Sequence, residues 1–344
     1  PTRWDLDAVS SVQPILLRHR TGHAAVLNSI ALQLAGIDRC FASPTGGHIE
    51  RDMMTGEPTG VIFELEQFLR TVIPPLAELD LKAGVREAST ELLRQGITSF
   101  HDASAGNTLA DFNLFHQLHA DSSVVSRATV MIGSDALPQV LAVGMTPFAG
   151  NEWVRLGSIK IMLHESHGIL HPHPEELANM VWQAHRLGFQ VAIHAVEEGP
   201  ICLALDAISR AQARLPREDH RHRIEHCSLC PPAFIDAFRE TGSVVVTQPG
   251  FLYSYGEKYA AEVDRGVHPW LYRAKSFLGQ GIPVARSSDC PVASVNPLVG
   301  ISTAMTRRSQ EGTIINETES LSLLDALTLF TTAGAWVGFE EEKK

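Results

Sequence analysis

The sequence predicts an α/β fold in which parallel strands alternate with helices, as in a TIM-like (β/α)8 barrel. Short apolar, β-prone runs recur between helical stretches roughly every 20–40 residues along most of the chain. Histidine, lysine and aspartate lie near the ends of several of these runs, where barrel enzymes place their chemistry. Open parallel sheets share that polarity, but no GxGxxG motif follows any run, so the dinucleotide-binding form of such a sheet is not indicated.

Seven runs are the candidate strands of this sheet. They are residues 97–100, 124–132, 158–163, 190–194, 223–226, 244–247 and 283–285. The helical stretches that separate most of them are residues 109–120, 174–187, 200–214, 231–240 and 272–278. A closed barrel of this class needs eight strands. We therefore expect an incomplete barrel.

The remaining segments predict smaller elements at both ends of the chain. Residues 15–17 read as a strand, 24–34 as a helix, 48–51 with 60–63 as a hairpin, and 78–95 as a helix. Residues 322–335 predict a last helix or a pair of helices. We assign residues 76–300 to the barrel and 301–344 to a helical segment that packs on it.

Composition limits the class of protein. The 344 residues carry a formal net charge of −11, which argues against a nucleic-acid partner because phosphate binding needs a basic surface. No apolar run approaches the length of a membrane span, and no signal peptide opens the chain. The five cysteines are odd in number and scattered, which favours reduced thiols and a cytoplasmic location. Cys227 and Cys230 form a CxxC motif without a second pair, which disfavours a structural zinc site.

Four residues near strand ends form the candidate metal site: Lys160, His194, His226 and Asp289. Two imidazoles and a carboxylate suit Zn²⁺, and also Fe²⁺, Mn²⁺ or Co²⁺. Asp289 could take a proton from water and pass it to a leaving group. Lys160 could be a ligand only after its amine adds CO₂ to form a carbamate. The alternative interpretations are a packed histidine, a turn aspartate and a lysine that reaches solvent.

Four further residues are candidates for substrate binding. His164 begins the segment HESHGILHPH, which we read as a polar loop above the barrel mouth. His101 and Asp102 end another candidate strand, and Asp102 reads as a hydrogen-bonding anchor for the site rather than as a ligand. His23 follows a Thr-Gly pair and precedes the helical stretch at residues 24–34.

The order Lys160, His194, His226, Asp289 resembles the amidohydrolase superfamily of metal-dependent hydrolases. Longer strings resemble its amidohydrolase family 3 branch, which includes N-substituted formamide deformylase-like proteins. Those strings are LRHRTGHAAVLNSIALQLAGI, PTGGHIERDMMTGEPTGVIFE, GITSFHDA, VAIHAVEE, RIEHCSL and SSDCPV. The resemblance covers nearly the whole chain. It implies a (β/α)8 barrel in which residues 1–75 are an insertion between strands one and two. It also implies hydrolysis of a C–N bond with one or two divalent metal ions, of which zinc is our first choice.

The same resemblance implies roles for individual residues. His194 and His226 match the ligands on strands five and six, and Asp289 matches the strand-eight aspartate that binds metal and moves the proton. Lys160 falls where other branches carry a carboxylated lysine. The substrate would be a small molecule, and the chain could form a homo-oligomer.

This sequence departs from the family at strand one. The His-x-His pair of that strand is missing, because His171-Pro-His173 follows the fourth strand and does not fit. The flanking β-sandwich is missing as well. We therefore expect partial or absent metal, an unmodified Lys160, no useful activity of the chain as it stands and an open apolar strand edge. Isomerase or decarboxylase chemistry, or a non-catalytic barrel used for binding or regulation, are the alternatives.

Overall fold

The chain divides into two units, Pro1–Leu81 and Lys82–Lys344. The computed structural model describes every residue except Thr45 and His167, and it leaves the side chain of Ser166 undescribed. The elements of the first unit are α1 (Arg3–Val9), β1 (Leu16–Arg18), β2 (Ala24–Leu27), α2 (Ser29–Leu34), β3 (His48–Arg51), β4 (Pro58–Phe63) and α3 (Glu66–Val72).

The first unit is built on a four-stranded antiparallel sheet with strand order β1-β2-β4-β3. The predicted hairpin of β3 and β4 is confirmed by their antiparallel pairing. The helix predicted over residues 24–34 is wrong in its first half, because Ala24–Leu27 pairs with both β1 and β4 as strand β2. The buried Asn28 ends that strand and caps α2, since its side-chain oxygen accepts from the N–H of Ala31 at 2.9 Å.

The second unit alternates strands and helices. Its elements begin with α4 (Glu78–Arg94), which starts just before the boundary, followed by β5 (Ser99–Asp102), α5 (Leu109–Ala120), β6 (Arg127–Gly133), α6 (Leu137–Ala142), β7 (Val154–Met162), β8 (His164–Ser166), β9 (Ile169–His171) and α7 (Pro174–Arg186). They continue with β10 (Val191–Ala195), α8 (Glu198–Arg214), β11 (Arg223–His226), α9 (Ile235–Thr241), β12 (Val244–Thr247), α10 (Gly250–Glu262), α11 (Ala274–Gly279), β13 (Val284–Arg286), α12 (Pro297–Thr306), α13 (Leu323–Phe330) and α14 (Thr332–Val337).

Seven strands of this unit form one parallel sheet, in the order β13-β12-β11-β10-β7-β6-β5. Each strand pairs with its sequence neighbour in the sheet, which confirms the predicted seven strands and the TIM-like α/β class. In the part of the chain that the structure describes, β5 and β13 are the outer strands and do not pair with each other. The predicted helix pair near the end of the chain is α13 and α14.

The two faces of the parallel sheet differ in chemistry. Ile159, Ile161, Val191, Ile193 and Ile224 pack into the hydrophobic core with the surrounding helices. The residues that alternate with them are Lys160, Ala192, His194, Arg223 and Glu225, all of them buried. Since successive side chains on a strand point to opposite faces, these five side chains, all polar except that of Ala192, share the face away from the helices. The alternation thus concentrates titratable groups on one side of the sheet.

The segment after α14 lies against that sheet. Side chains of Arg155 and Gln190 donate to the carbonyl oxygens of Gly338 and Val337, and Arg221 donates to that of Trp336. These donors lie near or just before the starts of β7, β10 and β11. They bond to the carbonyl oxygens of the last two residues of α14 and of the residue that follows it, where a helix end lacks partners within the helix.

The segment HESHGILHPH differs from its sequence prediction. The segment that we read as a polar loop forms an antiparallel hairpin of β8 and β9, in which His164 pairs with His171. The prediction of a loop was wrong, because two strands of three residues each are too short to give a clear periodicity in the sequence. His167 lies outside the described residues.

Among the residues that the structure covers, no helix is long and apolar enough to traverse a bilayer.

Candidate metal centre

His194 and His226 lie side by side near the ends of β10 and β11. Their ring centroids are 4.4 Å apart, and each residue is 8% exposed. The two strands pair in parallel, with His194 opposite Glu225 and Ala195 opposite His226. Parallel pairing therefore brings two imidazoles separated by 31 intervening residues into direct contact.

The backbone at His226 departs from regular strand geometry. Alternation would send its side chain to the helix side with Ile224, because Glu225 occupies the other face. The φ of His226 is +74°, in the left-handed region that non-glycine residues rarely adopt. This torsion angle redirects the ring toward His194. Asp289 has a φ of +53°, so two of the four predicted site residues have a strained backbone, as residues at functional sites often do.

Gln248 orients the ring of His226. Its amide nitrogen donates to the carbonyl oxygen of Val246 at 3.2 Å and to the hydroxyl of Ser287 at 2.8 Å. The amide oxygen of Gln248 must then be the atom that lies 2.9 Å from His226 Nδ1, so Nδ1–H is the donor of that bond. The lone pair of a neutral His226 is left on Nε2. Burial keeps the ring in this neutral form, because it lowers the pKa of His226, although the Asp289 charge opposes the shift.

Lys160 lies on β7 beside these residues and is 4% exposed. Burial lowers the pKa of its amine, while the negative charges of Glu225 and Asp289 act in the opposite direction. The structure thus places Lys160, His226 and Asp289 within electrostatic reach of one another. A lowered pKa favours the neutral amine, which is the form that can add CO₂.

Imidazole, carboxylate and carbamate groups are ligands of the right type for a divalent ion, and the tautomer of His226 leaves its Nε2 lone pair available. The remaining ligands are less well placed: among the described residues, no group of three or more histidine, cysteine, aspartate or glutamate side chains is arranged to hold a metal ion. His194 and His226 thus fit a metal as a pair, with Asp289 and Lys160 nearby.

The four residues predicted to bind substrate lie in different settings. His164 is the first residue of β8, and both of its buried ring nitrogens lack a partner among the described residues. Asp102 accepts from the N–H of Ser104 at 2.9 Å, an anchoring bond at the end of β5. His23 lies in the first unit, with its Nδ1 2.8 Å from a carboxylate oxygen of Glu64.

His101 is held by an ion pair that the sequence interpretation missed. Arg223 donates through Nη1 to His101 Nδ1 at 3.2 Å, and it forms a bidentate pair with Glu225. Burial and the adjacent Arg223 hold the pKa of His101 well below its usual value. Burial raises the pKa of Glu225, but the charges of Arg223 and Lys160 outweigh it and the net shift is downward. Alternating polar residues in RIEH were the signal that could have identified this pair.

Comparison with known proteins gives the family. A family model described as "Amidohydrolase family" matches residues 1–344. The chain belongs to the amidohydrolase family. It is 25% identical over 359 residues to the N-substituted formamide deformylase of Arthrobacter pascens, and 29% identical over 375 residues to the protein LONG AFTER FAR-RED 3 of Arabidopsis thaliana. These alignments cover 96% and 98% of this chain but 66% and 63% of the two relatives.

A solved structure shares the fold of this amidohydrolase. The crystal structure of an uncharacterized metal-dependent hydrolase from Pyrococcus horikoshii OT3 matches 99% of this chain and 70% of that one, with a TM-score of 0.77 and 23% identity. Identity at this level shows the fold alone. The family identification, which was predicted from the sequence, is confirmed. Membership places the chain among hydrolases and implies a divalent metal.

Proposed function

We propose that this amidohydrolase hydrolyses the C–N bond of an amide, a formamide or a related small molecule. The observation that carries the proposal is the ring pair of His194 and His226, with Gln248 leaving the Nε2 lone pair of His226 free. The relative named N-substituted formamide deformylase supports the same class of bond. At 25% identity it does not specify the substrate of this chain.

His194 and His226 would hold the divalent ion, which we propose to be zinc, with Asp289 as a further ligand and Lys160 joining them only where it is carboxylated. A divalent ion at this place supplies Lewis acidity, which polarises a carbonyl group and acidifies water. The proposal for Lys160 rests on its burial and its lowered amine pKa. Mass spectrometry of the intact native protein would show the added CO₂, and its absence would remove Lys160 from the ligand set.

Asp289 is the proposed proton carrier of the reaction. Its carboxylate would accept a proton from the attacking water and return it to the nitrogen of the leaving amine, which is otherwise too basic to depart. His164 would donate from its ring to a polar atom of the substrate, since its nitrogens have no partner among the described residues. We keep His23, His101 and Asp102 as proposed substrate contacts, with His101 also held by Arg223.

A panel of N-formyl and N-acetyl benzylamines and anilines tests this proposal. Because the missing strand-one histidines predict weak metal binding, the purified chain would be incubated with excess zinc, and released amine would be measured with an amine-reactive dye. We expect amine release that a chelator abolishes and zinc restores. The matched control is His226→Asn, which should release no amine above the uncatalysed rate. No release from any amide at any zinc concentration would favour the alternative of a non-catalytic barrel.

We propose a reducing, cytoplasmic setting, supported by five cysteines that are all free thiols. The substrate is proposed to be a small molecule rather than nucleic acid, because the chain carries a net charge of −11. A homo-oligomer remains a proposal that sedimentation of the purified chain would test.

A further inference from the structure

Three buried histidines form a second cluster, apart from the candidate metal centre. His185 lies on α7, while His220 and His222 lie just before β11. All three are at most 2% exposed, and the ring of His222 lies 5.1 Å from that of His185 and 4.3 Å from that of His220. Each of the six ring nitrogens has a hydrogen-bond partner. A fully satisfied buried network of this kind holds one arrangement of the groups around it.

The partners determine where each ring carries its proton. The backbone N–H of Val191 can only donate, and it lies 3.0 Å from His222 Nδ1, which must therefore accept. A neutral His222 then carries its proton on Nε2 and donates to His185 Nδ1 at 2.7 Å. His185 in turn carries its proton on Nε2 and donates to the carbonyl of Leu215 at 2.7 Å. The chain of bonds runs in one direction.

The position of the proton on the third ring, that of His220, is determined in the same way. The backbone N–H of His222 lies 2.9 Å from His220 Nδ1, so that nitrogen accepts as well. His220 therefore has its proton on Nε2, which lies 2.8 Å from the carbonyl oxygen of Thr241. All three rings are neutral Nε2–H tautomers in this arrangement.

His222 joins the strands that carry the metal-centre histidines. The ladder between β10 and β11 begins with the pair Ala192 and Arg223, so the N–H of Val191 lies one residue outside it. The His222 ring accepts that N–H, while its backbone carbonyl accepts from Val244 of β12 at 2.8 Å. One residue thus ties together the starts of three adjacent strands.

We propose that His222 is a positioning residue, whose ring fixes the register of β10 against β11 and thereby holds His194 beside His226. The proposal rests on the proposed function, because it concerns the same imidazole pair. A displacement of one strand by a single residue is about 3.3 Å. A slip of that size would break a ring contact whose centroids are 4.4 Å apart. The bond from Val191 to His222 opposes this slip.

Two variants separate this role from simple packing. In His222→Asn the side-chain oxygen takes the place of Nδ1 and accepts from Val191, but the side chain is too short to reach His185. In His222→Gln the terminal amide can donate to His185, and Val191 is left without its acceptor. Each variant loses one hydrogen bond and some volume, so we expect both to be destabilised. Only His222→Gln should change the metal centre.

The first measurement is made on metal-free protein by NMR. Long-range ¹H–¹⁵N spectra of the wild-type rings should show Nε2–H tautomers for His185, His220 and His222. Contacts between ring protons of His194 and His226 should persist in His222→Asn and disappear in His222→Gln. An Nδ1–H tautomer at His222, or ring contacts that respond equally in both variants, would overturn the proposal.

The second measurement is amine release from the N-formyl benzylamine probe. We expect His222→Gln to lose about 10- to 100-fold, the usual effect of removing outer support from a metal ligand, and His222→Asn to keep most of the rate. If the wild type cleaves no probe but the ring contacts follow the expected pattern, the proposed function fails and the positioning role stands. Equal rates in both variants of an active enzyme would contradict the positioning role alone.

Discussion

His226, a proposed metal ligand, shows how a single torsion angle decides what a strand residue can do. A φ of +74° turns its ring out of the alternation of β11 and onto the side of His194. A β-branched residue at such a φ would be strongly disfavoured, and the cost for any non-glycine residue is about 1–3 kcal/mol. Bonds such as the one that His226 donates to Gln248 must offset that cost.

The Gln248 bond gives the first prediction. Gln248→Met keeps the volume of the buried side chain but leaves His226 Nδ1–H without its acceptor. We expect zinc affinity to fall by about 10- to 100-fold, because the ring loses its orientation. Competition with a chelating dye measures the affinity. Gln280→Met, at an exposed position, is the control. Equal affinities of wild type and Gln248→Met would show that the ring is oriented by other contacts.

Asp289 gives a second prediction at this scale. Asp289→Asn preserves the shape of the side chain but cannot accept a proton, so kcat should fall by about 10²- to 10⁴-fold. Steady-state amine release gives kcat, and circular dichroism checks that the fold is kept. Asp236→Asn, on the exposed side of α9, should leave kcat unchanged. A rate near that of the wild type for Asp289→Asn would exclude this residue as the proton carrier.

At the scale of single elements, two glycines make opposite demands on their surroundings. A Cβ added to Gly133 at the end of β6 would lie 2.1 Å from the carbonyl oxygen of Ala105, and backbone atoms cannot yield easily. Gly133→Ala should therefore lower the free energy of unfolding by about 1–3 kcal/mol. A Cβ added to Gly84 within α4 would meet no described residue within 4 Å beyond the backbone of its own helix. Gly84→Ala should therefore raise the free energy of unfolding by about 0.5–1 kcal/mol. Urea unfolding of both variants measures the contrast, and a matching sign would contradict it.

The sequence predicts elements well where one strong signal controls them. The seven strands follow from apolar runs that lie buried against helices, and α5 begins and ends where its pattern indicates. Helix α10 was missed because its mixture of tyrosine and glycine gives only a weak amphipathic pattern. Strand β2 was read as helix, since Ala24–Leu27 is apolar in either state and only its partners β1 and β4 decide between them.

The sequence likewise predicts some residues of the candidate site and misses others. Strand ends are visible in the sequence, so His194, His226, Lys160 and Asp289 could be selected. Gln248 could not, because it contacts His226 only through the pairing of β11 with β12. The Arg223–Glu225 pair is indicated by the string RIEH, because alternation along a strand places both side chains on one face.

At the scale of the whole molecule, buried neutral histidines make stability depend on pH. Burial lowers the pKa of His220 to about 4, and it lowers that of His185 and holds that of His222 well below the usual value. Nearby charges act in both directions, since Arg217 lowers the pKa of all three rings and Asp219 raises that of His220. In the unfolded chain these histidines titrate near pH 6.5. Between the two values the unfolded chain binds more protons than the folded one.

The last prediction follows from this difference in proton binding between the unfolded and the folded chain. Stability from the neutral rings is complete above about pH 6.5 and is lost as the pH falls toward 4, by up to roughly 3 kcal/mol for His220 alone. His220→Gln keeps a donor for Thr241 but cannot titrate, so its free energy of unfolding should fall less steeply over this range. Urea unfolding at a series of pH values measures the slopes. The exposed His173→Gln is the control and should retain the wild-type slope. A His220→Gln slope as steep as that of the wild type would mean that carboxylates, rather than this buried ring, govern the loss of stability in acid.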